Sequence, residues 1–73
     1  MKIYTNNNCP YCKQLIQFCD KNNKEHEVIN IEKDFKAKAK LISKGLKGLP
    51  VIEIDNELIN GNIEELKKRI LND

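Results

Sequence analysis

Hydrophobic positions along this chain come in short groups separated by polar stretches, and the spacing within the groups switches between two periods. Lys2-Ile3-Tyr4-Thr5 is β-branched and aromatic and stops at three asparagines, which predicts a strand running into a loop. Pro10 then suits the first turn of a helix, where its missing N–H would have had no partner. Cys12, Leu15, Ile16 and Cys19 follow at helical spacing on one face, with Lys13, Gln14 and Gln17 turned away. Asp20-Lys21-Asn22-Asn23 closes that helix in polar turn residues. The next apolar run, Glu27-Val28-Ile29-Asn30-Ile31, is short enough for a buried strand.

A second helix fits Asp34 to Lys44. Asp34 serves as its N-cap, Gly45 as a left-handed residue just past its end, and Leu46 as the apolar contact that often follows such an ending. Its inward stripe is expected to hold Ala37 and Leu41, extended by Phe35 and Ile42. The period then shortens. Val51-Ile52-Glu53-Ile54 and Glu57-Leu58-Ile59 read as strands joined by Asp55-Asn56, a two-residue hairpin. Asn62-Ile63-Glu64-Glu65 opens a last helix with a capping-box-like signal. Its early acids and late Lys67, Lys68 and Arg69 complement the helix dipole, and Ile63, Leu66 and Ile70 supply the buried stripe.

The predicted order is therefore β-α-β-α-β-β-α. The first β-α-β unit requires a parallel pair with a right-handed crossover, and the hairpin adds an antiparallel pair to the same sheet. This is an α/β fold with a four-stranded mixed sheet covered by three helices.

Length and charge narrow the function classes. At 73 residues the chain is read as a single domain, 1–73. A domain of that size buries only about 60% of the surface exposed by its unfolded chain. A net charge of +2, with lysines interleaved among acids, gives no reason to expect nucleic acid or membrane as a partner. The surface is expected to be evenly solvated. The first eight residues contain no apolar signal region, and nothing approaches the ~18 apolar residues of a membrane span, so a cytoplasmic location is expected.

The chain has three cysteines, two of them in Cys9-Pro10-Tyr11-Cys12. An odd, closely spaced set does not suit a disulfide-stapled secreted domain and points to redox catalysis or metal binding. At a helix start, the first cysteine meets unpaired N–H groups and a favourable dipole, which stabilise a thiolate. That thiolate can attack a disulfide, and the second cysteine, one turn in, can resolve the mixed disulfide. Zinc sites use the same spacing, and Cys9, Cys12, Cys19 and His26 supply a superficially suitable ligand count. A continuous helix from Cys12 to Cys19 would separate these two by about 10 Å, too far for one ion. No metal site is expected. Cys19 then reads as a small core residue and His26 as an exposed residue at a strand edge.

With the tetrad directly after the first strand, the sequence resembles the glutaredoxins of the thioredoxin superfamily. Cys9-Pro10-Tyr11-Cys12 is the tetrad most typical of their dithiol members. Gly48-Leu49-Pro50-Val51 lies where they carry a Thr-Val-Pro element, and Asn60-Gly61-Asn62 where they carry a glycine pair. The resemblance implies a thioredoxin-like fold, with Cys9 as nucleophile and Cys12 as resolving thiol. It also implies a cis Pro50 whose preceding Leu49 backbone pairs with extended substrate, and Tyr11 as an apolar wall. Pro10 stiffens the turn, Gly61 and Asn62 would offer N–H groups to a glutathione carboxylate, and Lys47 could supply positive charge.

Two departures from the family pattern bear on the reductant. Asn6 stands where many glutathione-using members have lysine, and Asn60 replaces the first glycine of the pair. The expected activity is glutathione-dependent reduction of protein disulfides or glutathione mixed disulfides by a cytoplasmic monomer. No bound cofactor is expected, and glutathione is the reducing cosubstrate. The alternative is an electron donor reduced by thioredoxin reductase, for example toward ribonucleotide reductase. A metal- or cluster-binding module is the reading from a different class, and the intact tetrad speaks against it.

Overall fold

Seven elements follow one another in the order expected from the hydrophobic pattern. In a computed structural model that describes residues 1–46 and 48–72, they are β1 (Lys2–Thr5), α1 (Pro10–Lys21), β2 (Glu27–Asn30), α2 (Phe35–Ser43), β3 (Val51–Ile54), β4 (Glu57–Asn60) and α3 (Ile63–Leu71). The sheet order is β2-β1-β3-β4. β1 runs parallel to β2 with Ile3 opposite Val28, and antiparallel to β3 with Ile3 opposite Ile52. β3 and β4 form the expected hairpin, and Asp55 and Asn56 both adopt positive φ, the conformation a tight two-residue turn requires.

Because side chains alternate along a strand, β1 and β3 feed two separate cores. Ile3, Ile52 and Ile54 point to one face, where Leu15 and Cys19 of α1 and Leu66 and Ile70 of α3 cover them. Tyr4 and Val51 point to the other face, under Ala37 and Leu41 of α2. Strand β3 is buried along its whole length, as a central strand covered on both faces should be.

The helix ends follow the chemistry of their sequences. The Asp34 carboxylate accepts the Ala37 N–H at 3.1 Å, and Asn62 Oδ1 accepts the Glu65 N–H at 2.9 Å. Gly45, at φ +73°, closes α2 with bonds from Gly45 N to Ile42 O and from Leu46 N to Leu41 O. Leu46 packs into the same cluster as Leu41, completing the ending that the sequence predicts.

Three expectations are corrected. The second strand ends at Asn30 rather than Ile31, and it is an edge strand with Glu27 and Val28 exposed, not a buried one. Only the topology decides that β2 has one neighbour. Phe35 and Ile42 do not join the inward stripe of α2; they are 82% and 65% exposed. His26 is tucked in, with 12% of its side chain accessible, Nδ1 at 2.8 Å from the Lys24 carbonyl and Nε2 at 3.6 Å from Asp20.

A buried polar contact joins α2 to the sheet. Glu53, on the α2 face of β3, accepts a hydrogen bond from the Tyr4 hydroxyl at 2.5 Å and pairs with Lys40 Nζ at 3.0 Å. The hydrogen bond from Tyr4 and then that from Lys40 hold the Glu53 carboxyl below the usual carboxylate range against the opposing effect of burial. Burial, followed by the Glu53 hydrogen bond, pushes the Tyr4 hydroxyl upward.

Two outcomes are expected. Tyr4→Phe keeps the ring but removes the donor to a charged acceptor, and should lower stability by about 1.5–3 kcal/mol in a urea titration with little change in slope. Since the folded-state pKa of Glu53 is depressed, its contribution is fully present above the unfolded value of about 4.3 and is lost as pH falls through the folded value. Acid titration of Glu53→Gln should lack that part of the stability loss.

Candidate active site

The first turn of α1 is assembled from the Cys9-Pro10-Tyr11-Cys12 tetrad. Cys9 is the N-cap in extended conformation, Pro10 occupies the first helical position, and the Cys9 sulfur accepts the Cys12 N–H at 3.2 Å. That contact is an ordinary N-cap bond with sulfur in place of oxygen, and it would favour the thiolate when the pair is reduced. Here the two sulfurs are joined as a disulfide, with Cα atoms 5.2 Å apart. Cys9 retains 8% of its surface and Cys12 none, so an incoming sulfur can reach only Cys9. The first cysteine is thus less open than a freely exposed thiol, and the difference between the two is one of access. The Cys12 sulfur lies inward, 3.9 Å from the main-chain carbonyl of Tyr4.

The loop leading to Cys9 is held by asparagines. Asn6 Oδ1 accepts the Asn8 N–H at 3.0 Å, the Asn7 N–H donates to Glu32 Oε2 at 3.0 Å, and Asn30 Nδ2 donates to Asn7 Oδ1 at 2.7 Å. Asn6 therefore serves the loop itself and brings no charge to the site. The bonds to Asn30 and Glu32 tie the loop to the segment between β2 and α2.

Strand register gathers the other predicted residues at the same end of the sheet. Val51 lies opposite both Tyr4 and Asn60. Pro50, one residue before Val51, follows a cis Leu49–Pro50 peptide. Leu49 packs at the margin of the α2-side core. Gly61 and Asn62 follow Asn60 and start α3 at this same end. Tyr11 stands on the outer side of the first turn of α1 and is 56% exposed. Lys47 lies outside the described residues.

The surroundings of Gly61 carry a feature that was not read from the sequence. The Glu65 side chain folds back over the glycine, so that a Cβ placed there would lie 2.6 Å from Glu65 Oε2. Asn62 has committed its side-chain oxygen to the Glu65 N–H. The turn expected to receive an anionic carboxylate is thus covered by a carboxylate of its own. The acid three residues past Asn62 was legible only as a helix-capping signal.

Cys19 takes no part in this site. It is fully buried among Ile3, Leu15 and Ile52, and burial pushes its thiol pKa up, with the Asp20 charge adding to the effect. A protonated, enclosed thiol is a poor nucleophile. Among the described residues, no three histidine, cysteine or acidic side chains converge as metal ligands would.

This arrangement can exchange two electrons with an external dithiol or disulfide through Cys9, and comparison with known proteins agrees with that chemistry. A family model for Glutaredoxin matches residues 1–59. A glutaredoxin-like 8.6 kDa protein of unknown function in the rubredoxin operon of Clostridium pasteurianum is 33% identical over 72 residues, covering 96% of each chain. Among solved structures, NrdH-redoxin from Escherichia coli, described as a glutaredoxin-like protein with a thioredoxin-like activity profile, superposes with a TM-score of 0.82. Its sequence is 25% identical, over 93% of this chain and 90% of that one. The thioredoxin-like protein BC3987 gives a TM-score of 0.78 at 30% identity, over 92% of this chain and 94% of that one. The thioredoxin-like fold is held in common with these proteins, and this chain places its own cysteine pair at the start of the first helix: the chain belongs to the glutaredoxin family, and it is a thiol–disulfide oxidoreductase.

Proposed function

We propose that the protein reduces disulfides of protein substrates through Cys9 and Cys12 and is itself re-reduced by a dithiol flavoprotein of the thioredoxin reductase type, in preference to glutathione. The Cys9 thiolate attacks one sulfur of the substrate disulfide, forming a mixed disulfide and releasing the other sulfur as a thiolate. Cys12, deprotonated, then attacks the Cys9 sulfur. The Cys9–Cys12 disulfide forms, the second substrate thiolate leaves, and two electrons and two protons have passed to the substrate. Accessibility favours this order of roles, because only Cys9 has surface to offer. The Leu49 backbone before the cis Pro50 is the edge on which an extended substrate would align. Both electrons reside in the sulfurs, so the exchange calls for no bound cofactor.

The observation that carries the choice of reductant is the Glu65 carboxylate lying over Gly61. Glutathione presents two carboxylates, and a site for it needs N–H donors or cations where those groups arrive. Here one arrival point is occupied by a negative charge, and Asn6 supplies a neutral amide engaged with its own loop. A protein dithiol presents no such carboxylates and loses nothing by this arrangement. The thioredoxin-like activity profile stated for the Escherichia coli NrdH-redoxin is consistent with this reading.

In coupled assays following NADPH oxidation, thioredoxin reductase should sustain turnover on insulin disulfides. Glutathione with glutathione reductase should be slower by at least about tenfold, a difference worth about 1.4 kcal/mol in the barrier. The double variant Asn6→Lys/Glu65→Gln should raise the glutathione-supported rate several-fold. Equal rates with both reductants in the unmodified protein would sink the assignment. Separately, mass analysis of Cys12→Ser mixed with an oxidised substrate should find a stable adduct on Cys9, whereas Cys9→Ser should form none. An adduct on Cys12 would reverse the two roles.

A further inference from the structure

Helix α2 carries an exposed stripe whose residues neither the core nor the cysteine chemistry uses. Phe35, Ala39 and Ile42 lie at i, i+4 and i+7, which places them along one side of the helix. Phe35 and Ile42 are 82% and 65% exposed, while the opposite side of α2 buries Ala37 and Leu41. Isolated apolar residues on a surface need no explanation. Two large ones aligned on one short helix, in a chain with only two phenylalanines, are less ordinary.

Within α2 the charges beside the stripe are all positive, and the acids Glu32 and Asp34 lie just ahead of it. Lys36 and Lys38 flank it on its two sides, with Lys33 just before the helix and Lys44 just after it. Among the described residues none of these four is in an ion pair, whereas Lys40 is held by Glu53. The nearby acids are engaged, Asp34 in capping Ala37 and Glu32 in accepting the Asn7 N–H. Lys33 and Lys36 do not help the start of the helix, whereas Lys44 at its end suits the dipole. Lys36 stands in the first turn, where the dipole disfavours cations, and Lys36, Lys40 and Lys44 repeat like charge at i, i+4 spacing. Helix α3 of the same chain shows the opposite practice, with Glu64 and Glu65 first and Lys68 and Arg69 last.

The stripe also begins close in sequence to the segment that holds the active-site loop. Asn7, two residues before Cys9, is bonded to Asn30 and Glu32, and α2 starts three residues after Glu32. From Phe35 the stripe runs about 10 Å along the helix axis to Ile42.

We infer that this face of α2 is a docking surface for the protein substrate, taking a segment next to the reducible disulfide that carries acidic side chains around one or two apolar ones. The lysines draw the acidic segment in and set its orientation, and Phe35 and Ile42 receive its apolar side chains, leaving the disulfide over Cys9. A second copy of the chain is a poor occupant, because two such faces would bring lysines against lysines. The inference rests on the dithiol reading proposed above and adds to it the class of substrate.

The test uses pre-reduced protein in single turnover, so that the identity of the reductant does not enter. Three probes are compared: the small neutral bis(2-hydroxyethyl) disulfide, and two disulfide-closed peptides sharing the same cysteines and apolar residues but flanked by either glutamates or serines. The glutamate-flanked peptide should react about tenfold faster than its serine counterpart, and that advantage should shrink as ionic strength rises from about 0.05 to about 0.3 M. Lys36→Glu/Lys38→Glu should abolish the advantage, and Phe35→Gln/Ile42→Gln should slow both peptides several-fold. Neither double variant should alter the rate with the small disulfide, which also reports that the fold is intact. Failure to reduce the small disulfide would overturn the dithiol reading itself. Normal reduction of it, with equal rates for the two peptides, would overturn only the docking surface. So would a dimer in sedimentation that Phe35→Gln/Ile42→Gln dissociates, or binding to phosphatidylglycerol vesicles lost in the same variant.

Discussion

The pairing of β1 with β3 in the middle of the sheet is the contact on which the other features hang. Each strand is only four residues long, yet each contributes to both cores, so the register that sets Ile3 against Ile52 also sets Tyr4 against Val51. A slip of one residue would exchange the contents of the two faces. The same register brings the end of β1, from which the chain runs to Cys9, against the start of β3, which Pro50 precedes. The cysteine turn and the cis peptide therefore stand on the two most buried strands. A site built this way is positioned by packing, and its loops need to be only a few residues long.

Among the described residues charge enters this small interior at one place, and it does so with partners. Glu53 on β3 is answered by the Tyr4 hydroxyl from β1 and the Lys40 ammonium from α2, so one carboxylate links two strands and a helix. A lone carboxylate there would be costly to bury; paired and hydrogen-bonded, it fixes how α2 lies on the sheet. Through that contact the orientation of the whole α2 surface, including the lysines and the apolar stripe, is referred to the strands that carry the cysteines.

Of the three helices that begin at the active-site end, α2 and α3 differ in electrostatic character. α3 begins with acids, as its dipole prefers, and one of them reaches back over Gly61. α2 is capped by the Asp34 carboxylate but carries Lys33 and Lys36 beside that cap and only lysines as charges along its length. An anion approaching the Gly61 turn meets negative charge, while one approaching along α2 meets positive charge. A shared cysteine tetrad can thus be directed to different partners by a few side chains around it, without any change in the exchange chemistry.

Local chemistry was legible in the sequence wherever neighbours along the chain decide it. The helix starts at Asp34 and Asn62, the left-handed Gly45, the Asp55-Asn56 turn and the place of Cys9 at a helix start all depend on contacts within a few residues, and the structure has them as read. The resemblance carried by the tetrad, Leu49-Pro50 and Gly61-Asn62 extended this to the family and the fold. What the sequence left open depends on which elements become neighbours in space. The apolar run of β2 does not say that one of its edges stays unpaired. The helical period of α2 sets Phe35 and Ile42 on the side away from Ala37 and Leu41, so the four cannot form the single stripe expected of them, and the sheet beneath decides which pair is covered. Glu53 reads as a polar break in a strand until Tyr4 and Lys40 are brought to it, and Glu65 reads as a cap until its carboxylate is seen over Gly61. Periodicity and capping arise from bonds along one segment. Burial and charge pairing arise between segments, and the tertiary fold alone settles them.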